Sequence, residues 1–249
     1  MISNKVVLVT GIGKGIGAEI FNRCQNESKF VFGIVRSKKD FLELRKNTNI
    51  NKSKIFLGDI KDSKLIKKIF AFSNKSKFKI DSLVNNAGER QRIPFLKIKK
   101  KEIQNIFLNN YQSQFFLCQE FIKFIKRNNL KKTSIVNLGS IVGVNGFKEL
   151  SGYASTKQAL EGLTKCLAVE FARENVRVNI VHPGFIKTSY YNNFIKNKKK
   201  IYNWTLSRTP QKRWGEPKDI SNLICFLLSD DSKFITGQSF ICDGGWLSS

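Results

Sequence analysis

Short apolar runs alternate with longer amphipathic segments along most of this chain. Seven runs rich in valine, isoleucine and phenylalanine have the length and composition of buried β-strands. They cover residues 6–9, 30–35, 54–57, 82–84, 134–138, 177–181 and 239–242. Helical spacing of apolar positions is found near residues 16–26, 39–46, 63–72, 100–127, 152–174 and 217–228. This alternation predicts an α/β fold, a doubly wound parallel sheet with helices on both faces.

The segment between the sixth predicted strand and the last predicted helix has no strand character. It spans about residues 185–213 and contains Trp204 and the lysine-rich run 196–200. Insertions at the carboxyl edge of a parallel sheet often close over a ligand. We therefore predict one domain over residues 1–249, with a substrate lid at about 185–213. A solvated pair of surface helices is the alternative interpretation.

The chain is strongly basic. Its 249 residues carry 44 Lys+Arg against 19 Asp+Glu, a formal net charge of +25. An excess of this size can mark a nucleic-acid-binding protein. Here the lysines are spread along the whole chain, which favours a general compositional bias and no nucleic-acid partner. The charge would still attract anionic ligands, such as phosphorylated cofactors, anionic sugars or acidic carrier proteins.

Composition also bears on the compartment and on metal chemistry. No run approaches the ~18 apolar residues of a membrane span. A predicted strand begins near the N-terminus, which leaves no room for a targeting segment, so we expect a cytoplasmic protein that does not contact a membrane. The five cysteines are scattered without metal-ligand spacing, and no metal site is predicted.

A glycine-rich segment follows the first predicted strand and opens the next helix. Residues 10–17 read Thr-Gly-Ile-Gly-Lys-Gly-Ile-Gly. Glycines let the backbone turn sharply and approach a pyrophosphate closely, and the helix N-terminus offers free N–H groups. Because the segment lies in a strand-helix-strand unit, it predicts a dinucleotide site. A tight turn without a ligand is the alternative.

The end of the second predicted strand bears on the choice of dinucleotide. Proteins that bind NAD usually place Asp or Glu there to hold the ribose hydroxyls. This chain has Arg36 instead, and Lys14 lies in the glycine-rich segment. A guanidinium can hold a 2′-phosphate in a fork, so the two residues predict NADP(H) in preference to NAD(H). The alternative is that both belong to the general excess of basic residues.

Tyr153 and Lys157 lie one turn apart on the same face of a predicted helix. A phenol with its ordinary pKa near ~10 is a poor base at neutral pH, but a nearby ammonium favours the phenolate. Ser140 stands thirteen residues before the tyrosine, at the end of the fifth predicted strand. Its hydroxyl can hold a substrate oxygen while the tyrosine transfers a proton.

Together these motifs resemble the short-chain dehydrogenase/reductase family over essentially the whole chain. Segments 10–17 and 85–88 (Asn-Asn-Ala-Gly), Ser140, Tyr153 with Lys157, segment 183–184 (Pro-Gly) and segment 243–245 (Asp-Gly-Gly) occur in the family's order. The resemblance implies a Rossmann-type sheet of seven strands. It also implies hydride transfer between a nicotinamide and a carbonyl or alcohol carbon.

The resemblance assigns roles by position. Tyr153 would be the general acid in reduction and the base in oxidation, while Lys157 would lower its pKa and hold the nicotinamide ribose. Ser140 would bind the substrate oxygen, and Asn110 would hold a water of the proton relay, with the adjacent Asn109 as the alternative. Residues expected to contact the cofactor are Gly11, Lys14, Gly15, Ile16, Gly17, Arg36, Asp59, Ile60, Asn86, Ala87, Gly88, Tyr153, Lys157, Pro183, Gly184, Ile186 and Thr188.

His182 is the single histidine of the sequence and stands at the end of the sixth predicted strand. A general base is the sharper interpretation, but a packed or backbone-bonded ring is preferred. The chain therefore lacks the residues for serine-hydrolase or metal chemistry.

The substrate is less well defined by the sequence. The residues expected to line its pocket are mixed in character: Glu89, Arg90, Val142, Asn145, Phe147, Leu150 and Tyr190. Segments 209–217 and 236–245 are similar to 3-oxoacyl-carrier-protein reductases and to several sugar and polyol dehydrogenases. The first hypothesis is an NADPH-dependent reductase of a 3-oxoacyl thioester, with an acidic acyl carrier protein as a candidate partner. A sugar or polyol dehydrogenase is the alternative, and a non-catalytic nucleotide-sensing protein is a distant one.

The resemblance also implies a homodimer or homotetramer, formed through the long helices before and after the fifth strand. Apolar residues compatible with such an interface are Phe115, Phe116, Phe121, Leu163 and Leu167.

Overall fold

The predicted strands form one parallel sheet. The computed structural model describes residues 2–189 and 191–249, and within them the sheet has seven strands in the order β3-β2-β1-β4-β5-β6-β7. The strands are β1 (Val6–Thr10), β2 (Phe30–Val35), β3 (Ser53–Leu57), β4 (Ser82–Asn85), β5 (Thr133–Leu138), β6 (Val176–Pro183) and β7 (Ser239–Cys242). The Rossmann-type arrangement expected from the sequence is confirmed.

Alternate side chains of each central strand enter two separate hydrophobic cores. Val6 and Leu8 of β1 pack into one core, while Val7 and Val9 pack into the other. Because successive side chains of a strand point to opposite faces, the sheet must be covered on both sides. This double burial explains why the strand sequences are almost wholly apolar.

Helices supply the second layer of each core. They are α1 (Gly15–Glu27), α2 (Lys38–Asn47), α3 (Ser63–Lys75), α4 (Lys100–Phe107), α5 (Ser113–Arg127), α6 (Ile141–Val144), α7 (Ser151–Glu170), α8 (Tyr191–Asn197), α9 (Lys199–Arg208) and α10 (Pro217–Leu228). Apolar residues of α3, α5 and α7 share the core with Val6. Those of α1, α2 and α10 share the core with Val7.

Two predicted helices end differently from the expectation. The helix expected over residues 100–127 is divided, because a π-helical turn (Leu108–Gln112) separates α4 from α5. The wider turn changes the facing of the side chains within it, and Asn110 in this turn is fully buried. The helix expected over residues 152–174 ends as α7 at Glu170, and a short 3-10 turn (Ala172–Glu174) follows.

The segment without strand character folds into α8 and α9, which lie between β6 and α10. Trp214 is buried beneath them, with its ring centroid 5.3 Å from those of Tyr191 and Phe194. Its indole Nε1 donates a hydrogen bond of 2.8 Å to Thr205 of α9. Trp214 therefore anchors both helices. In the described ranges, no helix is long and apolar enough to cross a membrane.

Candidate active site

The strand order reverses between β1 and β4, and the loops after these two strands diverge. In a doubly wound sheet this switch point opens a crevice beyond the carboxyl ends of the strands. A cleft of about 460 Å³ occupies the place, lined by the glycine-rich segment, the ends of β2 and β3, and the loop after β4. A second cavity of about 650 Å³ adjoins it and contains Ser140, Tyr153 and Lys157.

The glycine-rich segment has the geometry of a phosphate cradle. Gly11 and Gly15 have φ angles of 71° and 58°, in the left-handed region that glycine adopts without strain. A Cβ on Gly17 would overlap the carbonyl oxygen of Gly11 and the side-chain amide of Asn86. No side chain caps the first turn of α1, so its N–H groups are available to an anion. The segment therefore fits a dinucleotide pyrophosphate.

Hydrogen bonds join the two loops that border the crevice. The Thr10 hydroxyl accepts hydrogen bonds of 3.0 Å from the backbone N–H groups of Asn86 and Ala87. The Asn86 amide donates to the carbonyl oxygens of Thr10 (2.9 Å) and Gly11 (3.1 Å). Asn86 thus holds the glycine-rich turn against the end of β4. This contact explains structurally why an Asn stands there.

The cations at the adenosine end of the cleft are already paired with carboxylates. Arg36 Nη1 lies 2.6 Å from Glu89 Oε1 and 3.8 Å from Asp59 Oδ2. Hydrogen bonding to Glu89 raises the pKa of the Arg36 guanidinium above its ordinary value. Lys14 Nζ lies 3.8 Å from Asp40 Oδ1. The end of β2 itself carries no carboxylate, but the fold brings Glu89, Asp59 and Asp40 into contact with the two cations.

Lys157 is buried beside Tyr153. Its Nζ donates a hydrogen bond of 2.6 Å to the Leu138 carbonyl at the end of β5. The same Nζ lies 5.8 Å from the centroid of the Tyr153 ring. Burial lowers the pKa of the Lys157 ammonium from 10.5 to about 8, which leaves it mostly charged at pH 7. One helix, α7, therefore presents the phenol and a desolvated cation together.

Ser140 is held at the start of α6. Its Oγ accepts a hydrogen bond of 3.2 Å from the backbone N–H of Val142. The hydroxyl proton can then be donated to an oxygen in the cavity. The backbone of Ser140 touches the His182 ring, with Nδ1 within 3.2 Å of the Ser140 nitrogen. His182 is fully buried, so the expectation of a packed, backbone-bonded ring is confirmed.

The structure distinguishes the two neighbouring asparagines. The Asn110 side chain accepts a hydrogen bond of 2.7 Å from the Glu89 N–H and donates one of 2.8 Å to the Glu89 carbonyl. It also donates a hydrogen bond of 3.3 Å to the Thr156 hydroxyl. That hydroxyl in turn donates a hydrogen bond of 2.7 Å to the Tyr153 carbonyl. Asn109 instead faces the dinucleotide cleft, where it donates 2.8 Å to the Glu89 carboxylate. Asn110 is thus the asparagine linked to the tyrosine helix.

Comparisons with known proteins place this arrangement in a family. A family model of short-chain dehydrogenases and reductases, described as Enoyl-(Acyl carrier protein) reductase, matches residues 11–247. A 3-oxoacyl-[acyl-carrier-protein] reductase of Buchnera aphidicola subsp. Schizaphis graminum is 33% identical over 245 residues, 98% of each chain. The chain belongs to the short-chain dehydrogenase/reductase family. It is therefore a nicotinamide-dependent oxidoreductase, which excludes the non-catalytic alternative.

Solved structures of this family differ in cofactor and substrate. A 4-hydroxyisoleucine dehydrogenase complexed with NADH superposes with a TM-score of 0.90 at 30% identity, covering 99% of this chain and 100% of that one. A putative NAD(P)-dependent gluconate 5-dehydrogenase from Beutenbergia cavernae, with bound NADP, has a TM-score of 0.87 at 26% identity, with coverages of 99% and 98%. Relatives of this kind support a nicotinamide cofactor without selecting between its two forms.

The fold brings nearly all of the sequence-predicted residues to the two cavities. The residues expected at the cofactor line one cavity or the other, from Gly11 of the cradle to Thr188 after β6. Of the expected substrate contacts, Glu89, Arg90, Val142 and Phe147 line the second cavity. Asn145 and Leu150 are not among its lining residues, and Leu150 is buried. Tyr190 lies outside the described residues.

Sequence reasoning did not identify several individual residues of the cavity wall. Besides Leu138 and Ile141, the additional lining side chains are Arg92, Phe185, Phe194, Ile201, Trp204 and Trp214. Phe185, Phe194, Ile201 and Trp204 fall within the segment 185–213 in which the lid was predicted. Most of them come from the segment of α8 and α9 and the turn that follows. The only available signal was the aromatic content of this otherwise polar segment, and that content does not reveal which rings face inward.

Proposed function

We propose that this protein is an NADP(H)-dependent reductase whose substrate is a 3-oxoacyl thioester. The observation that carries the proposal is the apolar wall of the cavity next to the catalytic residues. Val142, Phe147, Phe185, Ile201 and Trp204 form much of this wall. Such a surface suits an acyl chain because it buries apolar area and offers few hydrogen bonds to a sugar's hydroxyls.

The catalytic residues in the same cavity support carbonyl reduction. When bound, the nicotinamide supplies or accepts the hydride. The Ser140 hydroxyl donates a hydrogen bond to the carbonyl oxygen, which orients it and stabilises the charge that develops on it. Tyr153 gives the proton to that oxygen. The buried Lys157 ammonium favours the phenolate that remains. Asn110 supports the turn of α7 that carries both residues, through its hydrogen bond to Thr156.

Preference for NADP(H) rests on the cations at the adenosine end. Arg36 and Lys14 both line the cleft, and both are well exposed. A 2′-phosphate carries more charge than any one of the three carboxylates that now contact them, and it can accept a bidentate hydrogen bond from Arg36. We infer that the phosphate displaces Glu89 from Arg36.

An acidic carrier protein is the proposed macromolecular partner. Arg127 lies at the end of α5, Arg173 in the 3-10 turn after α7, and Lys131 in the loop before β5. These basic side chains would attract an acidic partner from solution. We also propose that the protein forms a homodimer or homotetramer. Phe115 and Phe116 of α5 are exposed and available to such an interface, whereas Phe121 and Leu163 are buried in the core.

A sugar or polyol dehydrogenase is the second candidate. The cavity is also lined by Glu89, Arg90 and Arg92, which can hydrogen-bond hydroxyl or carboxylate groups. The two candidates differ in what the apolar wall contributes to binding.

Turnover separates them. We expect acetoacetyl thioesters to be reduced with NADPH at a higher kcat/KM than any sugar or polyol is oxidised with NADP⁺, followed at the absorbance of the reduced nicotinamide. Lengthening the acyl chain should lower KM. Efficient sugar turnover without thioester reduction would reject the first candidate in favour of the second.

A further inference from the structure

His182 lies behind the catalytic serine and has two polar ends. Its Nδ1 is 3.2 Å from the backbone nitrogen of Ser140 and 3.1 Å from the backbone carbonyl oxygen of the same residue. Its Nε2 is buried without a hydrogen-bond partner, and faces Glu161 Oε2 of α7 at 3.6 Å. A buried ring nitrogen aimed at a carboxylate calls for an explanation, because such groups are normally paired.

The surroundings select one tautomer of the ring. The Ser140 carbonyl already accepts a hydrogen bond of 3.0 Å from the Gly143 N–H, so it does not depend on the imidazole. The Ser140 N–H has its acceptor in Nδ1. A proton on Nε2 leaves the Nδ1 lone pair for Ser140 and points the Nε2–H at the Glu161 carboxylate. A proton on Nδ1 would be donated to the Ser140 carbonyl at 3.1 Å, which can accept a second hydrogen bond. It would, however, leave the Ser140 N–H without its acceptor and turn the Nε2 lone pair toward the Glu161 carboxylate.

The ring also connects three elements of the site. His182 belongs to β6, Ser140 follows β5, and Glu161 is on α7, the helix that carries Tyr153 and Lys157. The space beside Gly139 is filled by this ring, since a Cβ there would lie 2.5 Å from Nδ1. The position of the serine relative to α7 is therefore set partly through the imidazole.

We propose that His182 is a positioning residue, whose neutral Nε2–H form, oriented by Glu161, holds Ser140 in register with Tyr153 and Lys157. This inference rests on the catalytic role of Ser140 given above. It makes no use of His182 as an acid or base.

The charges around the ring favour its neutral form. Burial lowers the pKa of His182, and the nearby ammonium groups of Lys157 and Lys165 lower it further, while the Ser140 contact and the Glu161 carboxylate raise it. Burial alone would raise the pKa of Glu161, but Lys165 and His182 bring it below its ordinary value. At pH 7 the pair is thus a neutral ring beside a carboxylate. Acid would place a proton on Nδ1 and take the acceptor away from the Ser140 N–H.

The first test is NMR of ¹⁵N-labelled imidazole. The sequence contains one histidine, so in a protein made without a histidine tag the ring signals need no assignment. At pH 7 we expect a neutral ring with the proton on Nε2 and an unprotonated, hydrogen-bonded Nδ1. A proton on Nδ1 or a charged ring at pH 7 would overturn the proposal, and this readout needs no substrate.

The second test replaces Glu161. We expect Glu161→Leu to let the Nδ1–H form appear in the same spectrum and to lower kcat about three- to tenfold, the value of one hydrogen bond. The affinity for the cofactor should not change. Glu161→Gln keeps an acceptor oxygen and should recover most of the loss. Glu161→Leu also breaks the 2.8 Å ion pair between Glu161 and Lys165. Lys165→Gln removes that ion pair but leaves the carboxylate, so it is the matched control for the loss of the ion pair alone.

Dependence on pH separates positioning from a merely structural role. In wild type, kcat should fall over the same pH range in which NMR shows His182 taking up a proton. In Glu161→Leu both transitions should move together to lower pH, because the carboxylate no longer stabilises the charged ring. A kcat that does not change over the pH range in which the imidazole titrates would refute the proposal.

The proposed function has its own test. If Ser140→Ala keeps full activity, Ser140 does not have the catalytic role proposed above, whatever the state of His182.

Discussion

The two ends of the strand-end crevice are built differently. At the tyrosine end, Lys157 and Asn110 are buried and their polar atoms are hydrogen-bonded within the protein. At the adenosine end, the side chains of Arg36 and Lys14 are 63% and 67% exposed and are held by ion pairs. Buried polar groups need partners before any ligand arrives. Exposed pairs are worth little and can be exchanged for a ligand's charge. The tyrosine end is therefore preset. The adenosine end is exchangeable, because a ligand's charge can replace one partner of its ion pairs.

Loss of the phenolic oxygen should break the preset end most severely. Tyr153→Phe removes the proton donor while leaving the ring beside Lys157, so we expect kcat to fall by about 10²- to 10⁴-fold. Cofactor affinity, measured by quenching of protein fluorescence, should remain near that of wild type. Retained turnover would refute the assignment of the proton donor.

Replacing Lys157 by Met tests the buried charge through stability. With a pKa of about 8 in the folded protein against 10.5 ordinarily, the group is charged in both states below pH 8, where its desolvation opposes folding. Between pH 8 and 10.5 the unfolded chain binds more protons than the folded one, so this part of the free energy of unfolding rises with pH. The rise should be roughly 3 kcal/mol, at about 1.4 kcal/mol per pKa unit.

Urea unfolding at several pH values measures this difference. The curve for wild type should rise relative to that for Lys157→Met above pH 8, because other titrating groups are common to both proteins. Parallel curves would mean that the ammonium is as well solvated in the folded protein as in the unfolded chain.

The sequence predicted the preset end better than the exchangeable one. Tyr153 and Lys157 belong to α7, and Ser140 stands between β5 and α6. The apolar periodicity places these elements, so the meeting of the three residues follows from the strand order. The pairing of Arg36 with Glu89 joins the ends of β2 and β4, which are separated in the sheet by β1. Nothing local to either residue indicates it. The π-helical turn around Asn110 was missed for a similar reason, since it changes hydrogen bonding without changing composition.

Reversing the charge of Arg36 should alter the exchangeable end without disturbing the catalytic residues. We expect Arg36→Asp to shift the ratio of NADPH to NADH efficiency by about 10- to 100-fold toward NADH, the value of a hydrogen bond to a charged group. Lys38→Asp makes a similar charge change at the start of α2, outside the lining of the cleft, and should leave the ratio nearly unchanged. If Arg36→Asp changes the NADPH/NADH ratio no more than Lys38→Asp does, the 2′-phosphate is held elsewhere.

The smallest expected effect comes from the carboxylate that now contacts Arg36. Glu89→Gln removes a competitor that lies 2.6 Å from the guanidinium, so NADPH affinity should rise about two- to fivefold, as expected for an exposed ion pair. NADH has no 2′-phosphate to exchange for Glu89 and should gain less. The difference should shrink at high salt, which screens exposed charges, and should vanish in an Arg36→Ala background. A gain that persists without Arg36 would mean that Glu89 repels the cofactor directly, and the exchange of partners at this end would then be wrong.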